Sequence, residues 1–382
     1  MRIGIDASNL RSGGGITHLV ELLRVTEPSV HGIEQVVVWA GRELLEELPP
    51  GLPWLVPAYE PVLDLPLPFR LYWQRVRLSR LARSMCDLLF VSGGLYLGDF
   101  RPYVTMSRNL LPFEPSERRR FGFSWQLLKL LLLRRAQASS FRNADGVIFL
   151  SEYARSKVMS SVKHLRGRWT VIPHGIDERF RLPPRPQKPI DSYSPLTPYK
   201  LLYVSAVDVY KHQWHTVQSA AKLRQSGLPV EMTLVGPAYP PALRRLRRII
   251  EQVDPFGTFI NYAGHESHSL LPKRYHQADC FVFASSCENL PNILLEAMAA
   301  GLPIACSERG PMPEILGDAG VYFDPESPES ISVALRCLIE DLSLRESSAQ
   351  LAYEKAGFYS WKRCARETFE FLAGTARHAY SL

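Results

Sequence analysis

The sequence predicts a two-domain α/β protein with a parallel sheet in each half, and three observations carry that expectation. Short apolar runs rich in β-branched residues alternate with helical stretches, the order that builds parallel sheets through strand–helix–strand crossovers. A proline-rich segment divides this alternation into two halves. The length, 382 residues, also exceeds what one hydrophobic core usually supports.

In the first half the strand-like runs fall at 2–6, 35–40, 87–91, 103–106, 146–150 and 169–172. The second half has them at 201–205, 232–236, 259–263, 280–284, 303–306 and 321–323. Between the halves, prolines stand at 173, 183, 184, 186, 189, 195 and 198. So many fixed φ angles and missing N–H groups oppose regular structure, and the segment reads as a connector. The expected organisation is a domain over 1–172, a connector over 173–200, a second domain over 201–360 and a closing helix over 361–382. That helix carries Trp361, Ala365, Phe369 and Leu372 along one side.

Composition is ordinary for a globular chain, 46% hydrophobic and 22% charged. No apolar run reaches the roughly 18 residues needed to span a bilayer. The opening Met1-Arg-Ile-Gly-Ile-Asp6 reads as a strand rather than a signal peptide. The six cysteines (86, 280, 287, 306, 337 and 364) form no C-x-x-C pair and sit mostly in apolar runs. They read as small buried hydrophobes of a reducing cytosol, with neither a disulfide framework nor a zinc site.

The most informative stretch is Ser286-Cys-Glu288-Asn-Leu-Pro291-Asn-Ile-Leu-Leu-Glu296-Ala-Met-Ala-Ala-Gly301. It follows an apolar strand and turns into a helix at Asn289-Leu-Pro291, with Asn289 as N-cap and proline tolerated in the first turn. Glu288 then lies at the carboxyl end of a strand beside a helix start, where α/β sheets bind anions. Glu296 lies within an apolar helix, where a carboxylate needs a partner. Two carboxylates flanking a phosphate cradle suit a ligand with a central diphosphate and hydroxyls at both ends, such as a sugar nucleotide.

This stretch resembles the E-x7-E motif of the retaining glycosyltransferases built from two Rossmann-like domains facing across a cleft, the GT-B fold. The resemblance is to glycosyltransferase family four in particular. It implies that Glu288 contacts the donor sugar and Glu296 the ribose hydroxyls. It further implies that Asn289, Leu290, Pro291 and Asn292 present backbone to the sugar and diphosphate. The closing helix is expected to cross back onto the first domain, and Ile172-Pro-His174-Gly175-Ile-Asp177 matches the family at the crossing into the second. Gly175 reads there as a turn glycine and His174 as a satisfied hydrogen-bonder.

Three further segments bear on the site. The loop Asp6-Ala-Ser-Asn-Leu-Arg-Ser-Gly13-Gly14-Gly15 precedes a helix with Ile16, Leu19, Val20 and Leu23 at core spacing. It is not G-x-G-x-x-G, and from its residues alone it is either a flexible turn or a phosphate loop. The resemblance places Gly14 and Gly15 near the donor diphosphate. After the strand at 201–205 the family has a Gly-Arg pair and then a lysine. Here Ser205-Ala206 replaces the pair and only Lys211 keeps its place on the diphosphate, with His212 or Arg108 as compensating groups. In Val104-Thr-Met-Ser107-Arg108-Asn109, Arg108 occupies the position where many relatives carry a histidine beside the donor sugar, so a histidine-dependent step does not transfer.

The resemblance thus implies a metal-independent, retaining hexosyltransferase-type enzyme, with Glu288, Lys211 and Arg108 as its chemical residues. No Asp-x-Asp occurs, so no metal is expected, and no cofactor beyond a nucleotide diphosphate sugar. The acceptor is expected to be a sugar or lipid-linked hydroxyl in polysaccharide or glycolipid assembly. Net charge is +7, and two basic amphipathic stretches stand out. One carries Arg75, Arg77, Arg80 and Arg83 among Leu71, Tyr72, Trp73, Val76 and Leu78. The other runs from Arg118-Arg119-Arg120 through Trp125 to Arg135. Both suit docking on an anionic membrane, hence a cytoplasmic protein peripheral to the inner face of the plasma membrane. The alternative is that 127–133 is a buried core helix with a basic edge. No recognition motif supports nucleic acid. A nucleotide-sugar epimerase, a doubly wound dehydrogenase and a non-catalytic scaffold of the same fold remain open at this level.

Overall fold

The computed structural model describes residues 1–11 and 13–380. Ser12 of the glycine-rich loop and the last two residues of the expected closing helix lie outside them. The chain divides into two compact units, one comprising Met1–Arg118, Gly122–Gly175 and Ser360–Leu382, the other Arg119–Phe121 and Ile176–Tyr359.

The first unit holds seven strands: β1 (Arg2–Asp6), β2 (Gln35–Ala40), β3 (Leu55–Tyr59), β4 (Leu88–Val91), β5 (Tyr103–Met106), β6 (Gly146–Phe149) and β7 (Arg168–Val171). They form one parallel sheet in the order β3-β2-β1-β4-β5-β6-β7. The second unit holds β8 (Tyr199–Val204), β9 (Val230–Val235), β10 (Ile260–Gly264), β11 (Cys280–Phe283), β12 (Ile304–Ser307) and β13 (Val321–Phe323). These are also parallel, in the order β10-β9-β8-β11-β12-β13. Helices cover both faces of such sheets, which is why β4, β5, β6, β11 and β12 are buried along their whole length. In each sheet the strand order reverses once, at β1/β4 and at β8/β11. Ligands of doubly wound sheets bind outside the carboxyl ends of the strands at that reversal.

One strand escaped the sequence reading. β3 contains Pro57, whose missing N–H argues against a central strand, but β3 sits at the sheet edge where one side needs no partner. The proline-rich segment is not a free connector. From Ile176 it belongs to the second unit, with single turns at Glu178–Phe180 and Ile190–Ser192. It is pinned there by the burial of Phe180 and by the Arg345 guanidinium donating to Lys188 O at 2.6 Å.

The closing helix, Trp361–Tyr380, belongs to the first unit and packs on the helix Gly14–Val25. Gly175 serves that packing rather than a turn: a Cβ there would lie 2.2 Å from Trp361 N. Nor is His174 satisfied by hydrogen bonds. Its Nδ1 is buried without one, and its ring packs edge-on to His18 with centroids 4.7 Å apart. Of the cysteines, only Cys337 is exposed, and all six are free.

Candidate functional site

In the second unit, two loops at the β8/β11 reversal are tied together. After β8 the chain reaches Lys211 and His212, and the helix Gln213–Gln225 begins. After β11 it runs through Ser285 and Ser286 to Glu288. Ser286 N donates to Tyr210 O at 2.9 Å, and His212 Nε2 lies 2.9 Å from Ser286 Oγ. Across this junction the Lys211 ammonium forms an ion pair with the Glu288 carboxylate, with side chains only 9% and 14% exposed. The ammonium also lies over the Phe283 ring, 5.4 Å from its centroid. Enclosed charges of this kind are costly to desolvate and hold their place only in pairs or with a ligand.

The helix after Glu288 is Asn292–Ala299, two residues later than its sequence suggested. Asn289 is therefore not its N-cap; Pro291 occupies that position, and Leu294 N closes the first turn on Pro291 O at 3.0 Å. The displacement lengthens the loop 289–291 beside Glu288 and leaves the N–H groups of Asn292 and Ile293 at the open end of the helix. Gly310, in the loop after β12, flanks the same place. Its φ is +69°, and a Cβ there would come within 3.9 Å of Glu288 N.

Glu296 has the partners that its apolar surroundings demanded. Tyr275 Oη donates to Oε2 at 3.0 Å, and His268 Nε2 lies 3.4 Å from Oε1. The hydrogen bond to Glu296 raises the His268 pKa above its ordinary value, while burial, then the carboxylate, pushes the Tyr275 phenol far up. Phe180 packs on both rings, at 5.1 Å from His268 and 5.7 Å from Tyr275. The proline-rich segment therefore braces the Glu296 end of the site.

The position of the lost Gly-Arg pair is neutral. Ser205 Oγ donates to Ala206 O at 2.9 Å, and Gly236 packs so closely that its Cβ would meet Ser205 O at 2.1 Å. His212 cannot supply the missing charge, because burial drives its pKa down to about 3. Sequence reasoning passed over Arg309, in the loop after β12, which bonds Asp324 Oδ1 at 2.7 Å and also pairs with Glu326. Its signal was its place just beyond a predicted strand, one residue before Gly310.

Gly14, Gly15 and Arg108 come together in the first unit, around the ends of β1 and β5. Arg108 donates through NH2 to Gly14 O at 2.7 Å, while its NH1 lies 2.9 Å from His18 Nδ1. Burial lowers its pKa to about 10. Arg108 therefore holds the glycine-rich loop directly. Two further residues absent from the sequence reading stiffen that loop: Arg70 donates to Ser8 O at 2.7 Å, and Gln74 Nε2 donates to the buried Asp6 carboxylate. A cavity of about 740 Å³ lies at the opposite end of the second unit's sheet, beside Lys200 and Glu231 at the starts of β8 and β9. It does not belong to this site.

Three histidines, His18, His174 and His212, are held neutral by burial, with pKa values below the ordinary 6.5. The unfolded chain binds more protons than the native one below that value, so stability should fall as pH drops below about 6.5. His268 works in the opposite sense, its contribution being lost as pH rises through its raised pKa, but it is one half-exposed group against four, since burial lowers the His215 pKa as well. Melting temperature is expected to decline steadily between about pH 7 and pH 5. A flat profile across that window would contradict the assignment.

Residues 185–355 match the model of the glycosyl transferases group 1 family. A 242-residue stretch is 26% identical to O-antigen chain mannosyltransferase B of Escherichia coli, covering 60% of this chain and 60% of that one. The chain is also 24% identical over 242 residues to glycogen synthase of Mycobacterium tuberculosis, covering 62% of this chain and 56% of that one. The chain thus spans under two thirds of the length of these curated relatives. Among solved structures, sucrose-phosphate synthase of Thermosynechococcus elongatus superposes with a TM-score of 0.75 at 16% identity, over 100% of this chain and 99% of that one. HepE of Anabaena, solved in complex with UDP, superposes with a TM-score of 0.68 at 17% identity over all of both chains. The architecture is the GT-B fold of two parallel-sheet α/β units. The residues that match the group 1 glycosyl transferase model, 185–355, all lie in the second unit.

Proposed function

We propose that this protein is a retaining, metal-independent glycosyltransferase of hexosyltransferase type. It moves a sugar from a nucleotide diphosphate donor to a hydroxyl of a sugar or lipid-linked acceptor in cell-surface polysaccharide or glycolipid assembly. The observation that carries the reading is the pairing of Lys211 with Glu288 at the sheet reversal, with Glu296 buried on the helix that follows. Lys211 and the open helix end at Asn292 meet the diphosphate, whose departing charge they stabilise, the term that dominates most transfers of this kind. Asn289, Leu290 and Pro291 lie against the sugar and diphosphate. Glu288 orients the donor sugar, and Glu296 accepts from the ribose hydroxyls. Arg108 supports the glycine loop. The enzyme works without a cofactor in the cytoplasm, peripheral to the inner face of the plasma membrane. In support, Anabaena HepE was solved with UDP, and the E. coli relative is named a mannosyltransferase.

A ligand that binds only the folded state raises melting temperature, by about 2.7 kcal/mol of stability at a hundredfold excess over Kd. One of the UDP-, GDP-, ADP- or dTDP-sugars is therefore expected to shift the melt, and the matching nucleotide to appear as product only when an acceptor hydroxyl is present. Stabilisation by none of the four would remove the proposal. Conversion of donor alone to an isomeric sugar nucleotide would replace it with an epimerase.

A further inference from the structure

The first unit leaves apolar side chains in solvent along stretches whose sequence allowed either a docking face or a core helix. In the helix Trp125–Asn143 only Leu130 of the leucine-rich stretch 127–133 is buried, so the stretch is not a core helix. Phe123, Trp125, Leu128, Leu131 and Leu132 are exposed, Trp125 by 65%. A second set, Leu67, Phe69, Tyr72 and Val76, is exposed along Leu67–Trp73 and the π-helical Gln74–Leu78 that continues it. Patches of this extent on a folded domain mark an interaction surface.

The two sets share one side of the unit. Leu67–Trp73 follows β3 and Trp125–Asn143 follows β5, so both helices start at the carboxyl ends of parallel strands. Their inner faces, through Trp73, Leu78, Ala138 and Phe141, belong to a single core cluster and so cover the same face of the sheet.

Charge decides the partner. Of the 45 Lys and Arg, 25 lie in the first unit, against 17 of the 38 Asp and Glu, leaving 20 and 21 in the second. The whole positive surplus belongs to the unit that bears the apolar face. Its cations are not equivalent: Arg77 is paired with Glu60 at 3.1 Å and Arg83 with Asp99 at 2.9 Å. Arg75, Arg80, Lys129 and Arg135 form no ion pair among the described residues; Lys129 lies 5.8 Å from the Trp125 ring centroid, and the others share the exposed stretches with Tyr72, Val76, Leu131 and Leu132. Unpaired cations interleaved with Trp, Tyr, Phe and Leu match a headgroup layer over acyl chains. A protein partner would call for a dry apolar core depleted in charge.

We infer that this face of the first unit, residues 67–80 together with residues 123–135, is a docking surface for a bilayer containing anionic lipid. This deepens the membrane part of the proposed function and rests on it. It also corrects the sequence reading, in which Arg75, Arg77, Arg80 and Arg83 contributed alike.

The test is co-sedimentation of the full chain with phosphatidylcholine vesicles, with and without about one third phosphatidylglycerol, at low and high salt. Wild type is expected to bind the anionic vesicles and to lose at least about tenfold in binding at high salt. A variant carrying Trp125→Ser, Leu128→Ser and Leu132→Ser should no longer bind. A second, with Arg75→Glu, Arg80→Glu, Lys129→Glu and Arg135→Glu, should also lose binding, whereas Arg77→Glu with Arg83→Glu should retain most of it. All replaced residues are exposed, so unchanged melting temperatures and donor-induced shifts will show that the fold and donor site are intact. Failure of wild type to bind anionic vesicles at low salt overturns the proposal, as does binding that survives both variants. A concentration-dependent dimer abolished by the Trp125 variant would equally overturn it, in favour of a second copy of the chain. The donor-induced shift is read separately, so loss of the donor reading and loss of this one remain distinguishable.

Discussion

Glu288→Gln should lower turnover roughly 100- to 1,000-fold, the usual cost of removing one preorganised polar group from a transition-state site, without weakening nucleoside diphosphate binding. The second half of this expectation comes from the ion pair. The Lys211 ammonium is engaged by Glu288, with both side chains largely enclosed. In the proposed role a diphosphate draws Lys211 away from that carboxylate and leaves Glu288 to turn to the sugar. With glutamine at 288 the lysine has no competing anion. Nucleoside diphosphate should therefore bind at least as tightly as to wild type, and Lys211→Ala should abolish the difference. Removing one partner from an enclosed pair also leaves the other charge uncompensated. The variant should then melt below wild type when free and recover when the nucleotide is added. Calorimetric titration and steady-state rates together decide the matter. Full turnover in Glu288→Gln, or nucleotide affinity falling in step with turnover, would sink the assigned role.

Much of this site was legible because strand–loop–helix junctions leave local marks. The apolar run 280–284 and the helix containing Leu294, Leu295 and Met298 bracket Glu288 whatever the rest of the chain does. The resemblance then attached roles to Glu288, Glu296 and Lys211. Other features depended on non-local packing and left weaker marks. Asn289-Leu-Pro291 reads as an N-cap with a first turn, but those residues stay in the loop and the helix begins after Pro291. β3 was hidden by Pro57, whose tolerance depends on an edge position that only the sheet order reveals. Tyr275 and His268 lie 21 and 28 residues from Glu296 in sequence, and only the fold brings them to it. The leucine stretch 127–133 allowed either a docking face or a buried core helix, and the structure leaves most of it on the surface.

Glu296→Ala is expected to weaken nucleoside diphosphate binding roughly 10- to 150-fold, the equivalent of the about 1.5–3 kcal/mol carried by a hydrogen bond to a charged group. Glu296 is 8% exposed, and its two oxygens are held apart by Tyr275 on one side and His268 on the other. Such an acceptor is fixed in orientation before the ligand arrives, as recognition of a vicinal diol requires. The ribose is the only part of a free nucleoside diphosphate with such a diol, so the loss should appear without any sugar attached. A 2′-deoxynucleotide should bind wild type more weakly and be nearly indifferent to the substitution. Tyr275→Phe makes the finer test, because it keeps the carboxylate and its burial while removing the hydroxyl that holds Oε2. If Tyr275 only fills space, affinity will not change. If it positions the carboxylate, affinity should fall by less than in Glu296→Ala, and the two losses should not add, since both act on one hydrogen-bonded unit. Unaltered affinity for the free nucleoside diphosphate in Glu296→Ala would remove the ribose from this end of the helix. The buried carboxylate would then be a structural group satisfied by Tyr275 and His268 alone.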